Sequence, residues 1–375
     1  MIRIRRTFLT NMRKHASKSP EMQIGLYTIR GAREPVAGFA GTGAAALLPS
    51  GVPSLPMNLE ALIPRFRASG WIDATGGVFA RPLPGGVSSD IVLVENARRR
   101  FVVKSALGKL KVSDDWFADV SRNGVEQDYF GYAAGIIPDS VPRILGGDPA
   151  GGWFAMEYLG DELENWKTVL LAGRTDPDPA RRAGAVLGRL HAASWNDPAA
   201  AARFDTLTNF LALRIEPYLL TTAARVPEAA AFLRAESERL AGTRLALVHG
   251  DYSPKNLLIG PGRIVILDAE CGWFGDPAFD TAFLLAHLHL KALLHRSAAA
   301  LVPVFWSAYA KAVGKDLENR TIRLLLCLLL ARVHGKSPVE YLDERQRAFV
   351  SRFVLAHLSV PPSSLAAFTT AWLSS

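Results

Sequence analysis

Residues 244–268 constrain this chain more than any other stretch. Two short apolar runs, RLALVH (244–249) and RIVILD (263–268), carry the pattern of buried strands. In the connection between them, LVHGDYSPKNLL (247–258), His249, Asp251, Lys255 and Asn256 stand within eight positions. An acid, a base and an amide set between buried strands call for a fold that holds them rigidly. The two apolar runs are expected to flank the polar loop as a hairpin-like pair.

The rest of the chain divides into two patterns. NLEALIPRFRASG (58–70) has helical spacing at Leu59, Leu62, Ile63 and Phe66 and stops at Gly70. VFARPL (78–83), IVLVE (91–95), FVVKSAL (101–107), VPRILGGD (141–148) and GWFAMEYLG (152–160) read as strands. One helix is expected over 113–135, with Ser113 as its cap and Gly135 as its stop. From about residue 160 the spacing is helical. A helix over 178–195 opens on Asp178 as cap with Pro179 at the first position. TLTNFLALRIEPYLL, PEAAAFLRAESERLAG, DPAFDTAFLLAHLHLKALLH (276–295), VPVFWSAYAKAVG and the run from Arg320 follow, and Ser337-Pro338-Val339-Glu340 reads as a capping box. These patterns predict an α+β chain of two lobes. Residues 57–158 make a small antiparallel sheet carrying one helix, and residues 159–375 a larger, mostly helical lobe, behind a flexible basic extension at 1–56.

Composition excludes several classes. Six of the eight net positive charges fall in residues 1–56, which hold eight Lys/Arg and two acids. The body is therefore near neutral and offers no basic surface for nucleic acid. The tail reads as a flexible extension or a translation start placed too early, with Met22 and Met57 as other starts, ahead of a targeting peptide or a nucleic-acid arm. No apolar run reaches the roughly 18–20 residues of a membrane span. FLLAHLHLKALL (283–294) and LLLCLLLARV (324–333) are too short or are interrupted by His, Lys and Arg, so no membrane partner is expected. Cys271 and Cys327 make neither a disulfide framework nor a metal spacing, which points to a reducing, cytoplasmic setting.

The chemistry concentrates in the loop and just beyond it. Asp251 stands five residues before Asn256, and RIVILD runs into Ala269-Glu270. Phosphoryl transfer from a nucleotide asks for such groups: a carboxylate to take the proton of the attacking hydroxyl, and oxygen ligands to hold Mg²⁺ on the phosphates. HGD-x-x-x-x-N (His249–Asn256) and D-x-E (Asp268–Glu270) resemble the motifs of the aminoglycoside phosphotransferase/choline kinase superfamily of small-molecule kinases. The resemblance covers most of residues 75–345. The D-x-E form, with VVKSALGKLKVSDDW, is similar to methylthioribose-kinase-like members.

The resemblance implies a bilobal protein-kinase-like fold using ATP and Mg²⁺. Asp251 would be the base and Lys255 would steady the γ-phosphate. Asn256, Asp268 and Glu270 would be metal ligands. Gly85, Gly86, Ser88 and Ser89 would form the phosphate loop, although it is not a G-x-G-x-x-G. Lys104 would be the ATP lysine, paired with Glu126. Glu157 and Tyr158 would sit at the adenine hinge. Arg332, His334 and Lys336 would lie on a loop that shapes the acceptor pocket. His249 reads as a brace for the loop and His191 as a packed helix-face residue. Asp276 reads as a helix cap, and Asp280 ties that helix to the loop. DAE stands where a protein kinase has D-F-G, and no A-P-E follows, which argues for a small-molecule acceptor.

The competing class is a non-catalytic pseudokinase-type nucleotide-binding or scaffold protein, which would need none of Lys104, Glu126, Asp251, Asn256 and Asp268. Residues 160–375 hold 24 Lys/Arg and 21 Asp/Glu, which disfavours a polycationic acceptor. Salt-sensitive DNA or RNA binding, measured in parallel on the full chain and on a chain lacking residues 1–56, is expected to be absent from the shortened protein. Its persistence there would return nucleic acid to the list of partners.

Overall fold

The computed structural model describes residues 27–29, 59–83, 88–107 and 119–375. Gly85, Gly86, Ser113 and all of the N-terminal extension except Tyr27–Ile29 lie outside the described residues. The chain divides into two compact units, residues 1–84 with 92–99, and residues 85–91 with 100–375.

In the first unit, strand β1 (Tyr27–Ile29) precedes helix α1 (Leu59–Ala68) and pairs antiparallel with β2 (Val78–Pro82). β2 in turn pairs with the second half of β3 (Ser89–Glu95), Phe79 opposite Glu95 and Pro82 opposite Val92. Leu59, Ile63 and Phe66 form the buried stripe of α1. The helix gives out ahead of Gly70, and the Phe66 ring stacks on Trp71 at 5.6 Å.

The second unit opens on β4 (Arg100–Ala106), helix α2 (Arg122–Ala134), β5 (Ile144–Asp148) and β6 (Trp153–Glu157). β6 lies antiparallel between β4 and β5. α2 begins later than its sequence suggests. Residues 119–121 form a turn in which Asp119 Oδ1 accepts the Ser121 amide at 2.8 Å, so the helix starts at Arg122. It stops ahead of Gly135 as expected.

The chain then becomes helical. β7 (Glu164–Asn165), α3 (Trp166–Leu171), α4 (Pro177–Ala193), α5 (Pro198–Arg203) and α6 (Leu207–Phe210) lead into a π-helical run, Leu211–Leu220, and then α7 (Thr221–Arg225) and α8 (Ala230–Gly242). Four short strands follow: β8 (Ala246–Val248), β9 (Leu257–Gly260), β10 (Arg263–Ile266) and β11 (Trp273–Gly275). Helices α9 (Ala278–Ala292), α10 (Leu301–Val313), α11 (Glu318–His334), α12 (Glu344–His357) and α13 (Leu365–Ser374) complete the unit. All fifteen residues of α9 are buried, and it packs on α11, whose stretch Leu324–Ala331 is buried too. That pair is the centre of the helical core. No helix among the described residues is long and apolar enough to cross a membrane.

Three local expectations change. The cap of α4 is Asp176, whose side chain accepts the Asp178 amide at 2.9 Å; the same Asp-Pro pattern occurs two residues earlier than assumed. The capping box near residue 340 is Asp343 with Gln346, not Ser337 with Glu340; Ser337 accepts from Arg332, and Glu340 pairs with Lys167. The two apolar runs around the polar loop do not pair with each other. β8 pairs with β11, Val248 opposite Trp273, and β10 pairs with β9, Ile266 opposite Leu257. The loop does not simply reverse the chain. It turns through Pro254–Asn256 into LLIG, and the hairpin closes at Pro261-Gly262.

α4 and α10 approach through glycine. A Cβ on Gly184 would run into Phe305 O, and one on Gly188 would sit 2.8 Å from Tyr309 O. Gly184→Ala is expected to lower unfolding free energy by about 1–3 kcal/mol, the usual cost of forcing an extra methyl into a packed interface. Gly242→Ala, which meets nothing within 4 Å, is the control in the same denaturant titration and should not be destabilised.

Candidate active site

The loop after β8 is held by one carboxylate. Asp280, fully buried on α9, accepts the His249 amide at 2.7 Å and the Gly250 amide at 2.9 Å, with His191 Nε2 3.3 Å away. Gly250 has φ +76°, and a Cβ there would lie 2.5 Å from Cys271 O, so the position needs glycine. The His249 ring has Nε2 3.0 Å from Leu267 O and Nδ1 3.1 Å from the Asp251 amide. A neutral ring protonated on Nε2 satisfies both bonds, and burial lowers its pKa. His249 thus couples the start of the loop to the residue before Asp268. His191 packs in the core with Nδ1 3.0 Å from Tyr309 OH. Asp276 Oδ1 accepts the Ala278 amide at the start of α9, at 3.0 Å.

Asp251 is 2% exposed. Its Oδ2 lies 3.0 Å from Arg214 NH2 and 2.9 Å from Lys255 Nζ. Its Oδ1 is buried and makes no hydrogen bond. Burial works to raise its pKa, but Lys255 and Arg214 outweigh burial and hold the carboxyl below its ordinary range, so it is ionised at neutral pH. Asn256 donates its Nδ2 to Asp251 O at 3.0 Å, which turns the amide oxygen to the other side.

Asp268 comes from the end of β10 and has φ +63°, a left-handed backbone rare outside glycine. Its Oδ1 is 2.5 Å from Lys104 Nζ. Lys104, on β4, lies 2.7 Å from Glu126 Oε2 on α2. Burial opposes the Lys104 ammonium, yet Asp268 and Glu126 carry its pKa above the ordinary value. For Asp268, burial is outweighed by Lys104, and its pKa falls. For Glu126, burial wins over Lys104, and its pKa rises.

Glu270 faces a different partner. Arg122, with no exposed surface, places Nε 2.9 Å from Glu270 Oε2. The same guanidinium donates to Ser88 O at 2.6 Å, Leu107 O at 2.5 Å and Asp119 O at 2.8 Å. Ser88 and Ser89 are buried at the start of β3. Glu157 accepts the Arg143 amide at 3.0 Å, and the Tyr158 ring lies 4.2 Å beneath Arg100. Of the three residues expected on a loop, Arg332 and His334 lie instead in the last turn of α11, and only Lys336 follows it. Arg332 NH1 reaches Tyr218 OH at 3.2 Å and Lys336 lies 3.0 Å from Glu216, the Tyr and the Glu both on the π-helical run. His334 instead meets Ser351 on α12 at 2.8 Å. Among the described residues no three His, Cys, Asp or Glu side chains are grouped to cage a metal ion by themselves.

Arg122 and Arg214 are the residues sequence reasoning missed. Arg214 interrupts the apolar run FLALRI, and Arg122 lies one turn ahead of Glu126. A buried arginine must find acceptors, so a lone arginine in an apolar run was the available signal.

The sequence model of the phosphotransferase enzyme family (APH) matches residues 80–312 of this chain. The chain belongs to that family. The phosphotransferase is 25% identical over 276 residues to a methylthioribose kinase of Pectobacterium carotovorum, covering 66% of this chain and 67% of that protein. It is 27% identical over 219 residues to a methylthioribose kinase of Citrobacter koseri, covering 51% and 54%. The alignments thus span half to two thirds of these relatives' length. A crystal structure of a choline/ethanolamine kinase family protein from Mesorhizobium loti superposes with a TM-score of 0.50 at 18% identity, covering 85% of this chain and all of that one. That likeness gives the phosphotransferase a protein-kinase-like α+β fold. Nothing in the comparisons favours the non-catalytic alternative.

The buried Lys104–Glu126 pair makes a stability prediction. Lys104→Met leaves the Glu126 carboxylate buried without its cation, at an expected cost of about 3–5 kcal/mol. Glu126 then has a folded-state pKa above its unfolded value, so the cost is small below about pH 4, grows as pH rises from the unfolded towards the folded pKa, and levels off above it. Adding Glu126→Leu should recover the part of the loss that comes from Glu126, leaving the part that comes from Asp268, in denaturant unfolding at pH 8.

Proposed function

We propose that this phosphotransferase transfers the terminal phosphoryl group of ATP, with Mg²⁺, to a hydroxyl group of a small molecule. The observation that carries the reading is the Asp251 carboxylate: buried, ionised, held through Oδ2 by two cations, and with Oδ1 lacking any hydrogen bond. A structural cap would have its oxygens filled; a base waiting for an acceptor hydroxyl would not. Asp251 receives the hydroxyl proton as the oxygen attacks. Lys104, oriented by Glu126, holds phosphate oxygens. The Asp268 carboxylate and the Asn256 amide oxygen suit Mg²⁺, a hard cation that takes one or two protein oxygens beside phosphate oxygens. When bound, Mg²⁺ and the nucleotide supply the phosphoryl group and neutralise the charge building on it. Lys255, 2.9 Å from Asp251, stands where it can also steady that charge.

Glu270 is engaged by Arg122, and we assign it to bracing the D-x-E segment against the start of β3 rather than to the metal. Ser88 and Ser89 lead out of the phosphate-loop segment, and Glu157, which ends β6, with Tyr158 just after it makes the adenine hinge. A cytoplasmic setting fits two cysteines that are both free and buried.

An ADP-release screen over hydroxylated metabolites and antibiotics, methylthioribose included, tests the reading. At least one acceptor should be turned over, and Asp251→Asn should reduce its kcat by about a hundredfold to ten-thousandfold. An equally active Asp251→Asn enzyme would sink the assignment of the base. Tight ATP–Mg²⁺ binding with no turnover on any acceptor would favour the non-catalytic alternative.

A further inference from the structure

A line of side chains leads away from Asp251 along one face of α9. Arg214, whose guanidinium holds Asp251, stands 5.5 Å over the Tyr218 ring and 6.0 Å over Phe283. Tyr218 and Phe283 lie 5.6 Å apart, and Phe283 meets His287 at 5.4 Å. One turn further along α9, Lys291 lies 4.8 Å from the Tyr341 ring and 3.4 Å from its hydroxyl. Arg332 of α11 comes to the same tyrosine as Arg214, 5.7 Å over the Tyr218 ring. Lys167 of α3 belongs to the group too. The Asn165 cap of its helix donates to Lys255 O at 2.6 Å, which ties α3 to the catalytic loop.

The charges along this line do not balance. Five cations, Lys167, Arg214, Lys255, Lys291 and Arg332, line it, and only Asp251 and Glu340 pair with any of them; Asp268 and Glu270 also act on Lys255 and Arg214 but have Lys104 and Arg122 as their own partners. Glu340 is taken by Lys167 at 2.5 Å, and Asp251 by Arg214 and Lys255. Among the described residues no ion pair reaches Lys291 or Arg332. Lys291 is 1% exposed, and Arg332 Nε is buried without a hydrogen bond. A buried ammonium without a counter-ion is costly and is normally found paired. Burial, then Lys167 and Arg332, pull the Lys291 pKa down to about 7, against a smaller opposing pull from Glu340. Burial and the cations Lys291, Arg332, Lys255 and Lys167 keep His287 neutral.

We propose that Lys291 and Arg332 bind an anionic group of the acceptor, so that the molecule phosphorylated carries a carboxylate or phosphate besides the reacting hydroxyl. The inference rests on the phosphotransferase reading above and narrows its substrate class. An anionic acceptor supplies the counter-charge this end of the site lacks. A cationic acceptor would instead add to the unbalanced positive charge.

Two measurements test it. ADP release is compared within matched pairs that differ by one anionic group: glycerol and glycerate, glucose and gluconate, ribose and ribose 5-phosphate. In at least one pair the acidic member should show kcat/KM higher by about tenfold or more. Lys291→Met and Arg332→Gln should each collapse that ratio towards one. Neutral members turned over as well as or better than acidic ones would overturn the proposal. The second measurement needs no turnover. Inorganic phosphate or citrate should raise the Tm of the wild-type protein and raise it less in both variants. No rise, or an equal rise in all three, would overturn the anion site. Anion binding that depends on Lys291 and Arg332, with no ADP released from any acceptor, would instead sink the kinase reading and leave the site standing. Lys291→Met should melt at or above the unliganded wild type, because it removes a buried charge that has no counter-ion, so a loss of fold is separable from a loss of binding.

Discussion

The arrangement depends on one carboxylate that takes no direct part in chemistry. Asp280 accepts two consecutive main-chain amides, those of His249 and Gly250, from inside a helix with no exposed residue. Amide groups in a buried turn must find acceptors, and a charged acceptor makes the stronger bonds. Because α9 is enclosed by its neighbours, the loop inherits the rigidity of the core. The His249 ring extends that grip across the site, from the Asp251 amide to the carbonyl of Leu267. The two segments that carry Asp251 and Asp268 are therefore set relative to each other by main-chain bonds. Their charged side chains are left for other duties.

Charge is then distributed so that each functional carboxylate has cations of its own. Asp268 has Lys104, which is itself steadied by Glu126; Asp251 has Arg214 and Lys255; Glu270 has Arg122. In a buried setting, Coulomb attraction offsets the cost of removing these groups from water only when the geometry is good. The distances of 2.5–3.0 Å meet that condition. The departure from this economy is at Lys291 and Arg332, which no carboxylate among the described residues pairs with directly, Glu340 being held by Lys167.

Much of this was legible before any coordinates. The strands around Lys104 and Phe154 are short apolar runs bounded by turn residues, and the helices keep an apolar stripe over many turns. Asp251, Asn256 and Asp268 announce themselves through fixed spacing in one short region, so their proximity follows from the chain's local path. Arg214 and Arg122 did not, because their partners lie 37 and 148 residues away, and no local spacing links an arginine in FLALRI to an aspartate in HGD. The pairing of β8 with β11 was illegible for a related reason. WFG (273–275) is too short to register as a strand, and Leu257 and Leu258 follow the polar residues with no turn signal between them. The start of α4 slipped by two residues because Asp-Pro occurs twice in succession, and only the backbone decides which aspartate caps.

The π-helical winding of Leu211–Leu220 has a bearing on how such a site can change. The run contains Pro217, which has no amide hydrogen to give, and it ends with the Thr221 amide bonded to Glu216 O, five residues back. Arg214, Glu216 and Tyr218, which face Asp251, Lys336 and Arg332, all belong to it. Removing one residue from the run would return the following turn to ordinary pitch and swing every side chain on one side of the deletion by about 100°. The Tyr218 ring and the Arg214 guanidinium would then be presented to Asp251 in a different order, with residues 249–256 untouched. Segment length, as much as side-chain identity, is thus a variable through which the surroundings of Asp251 are set.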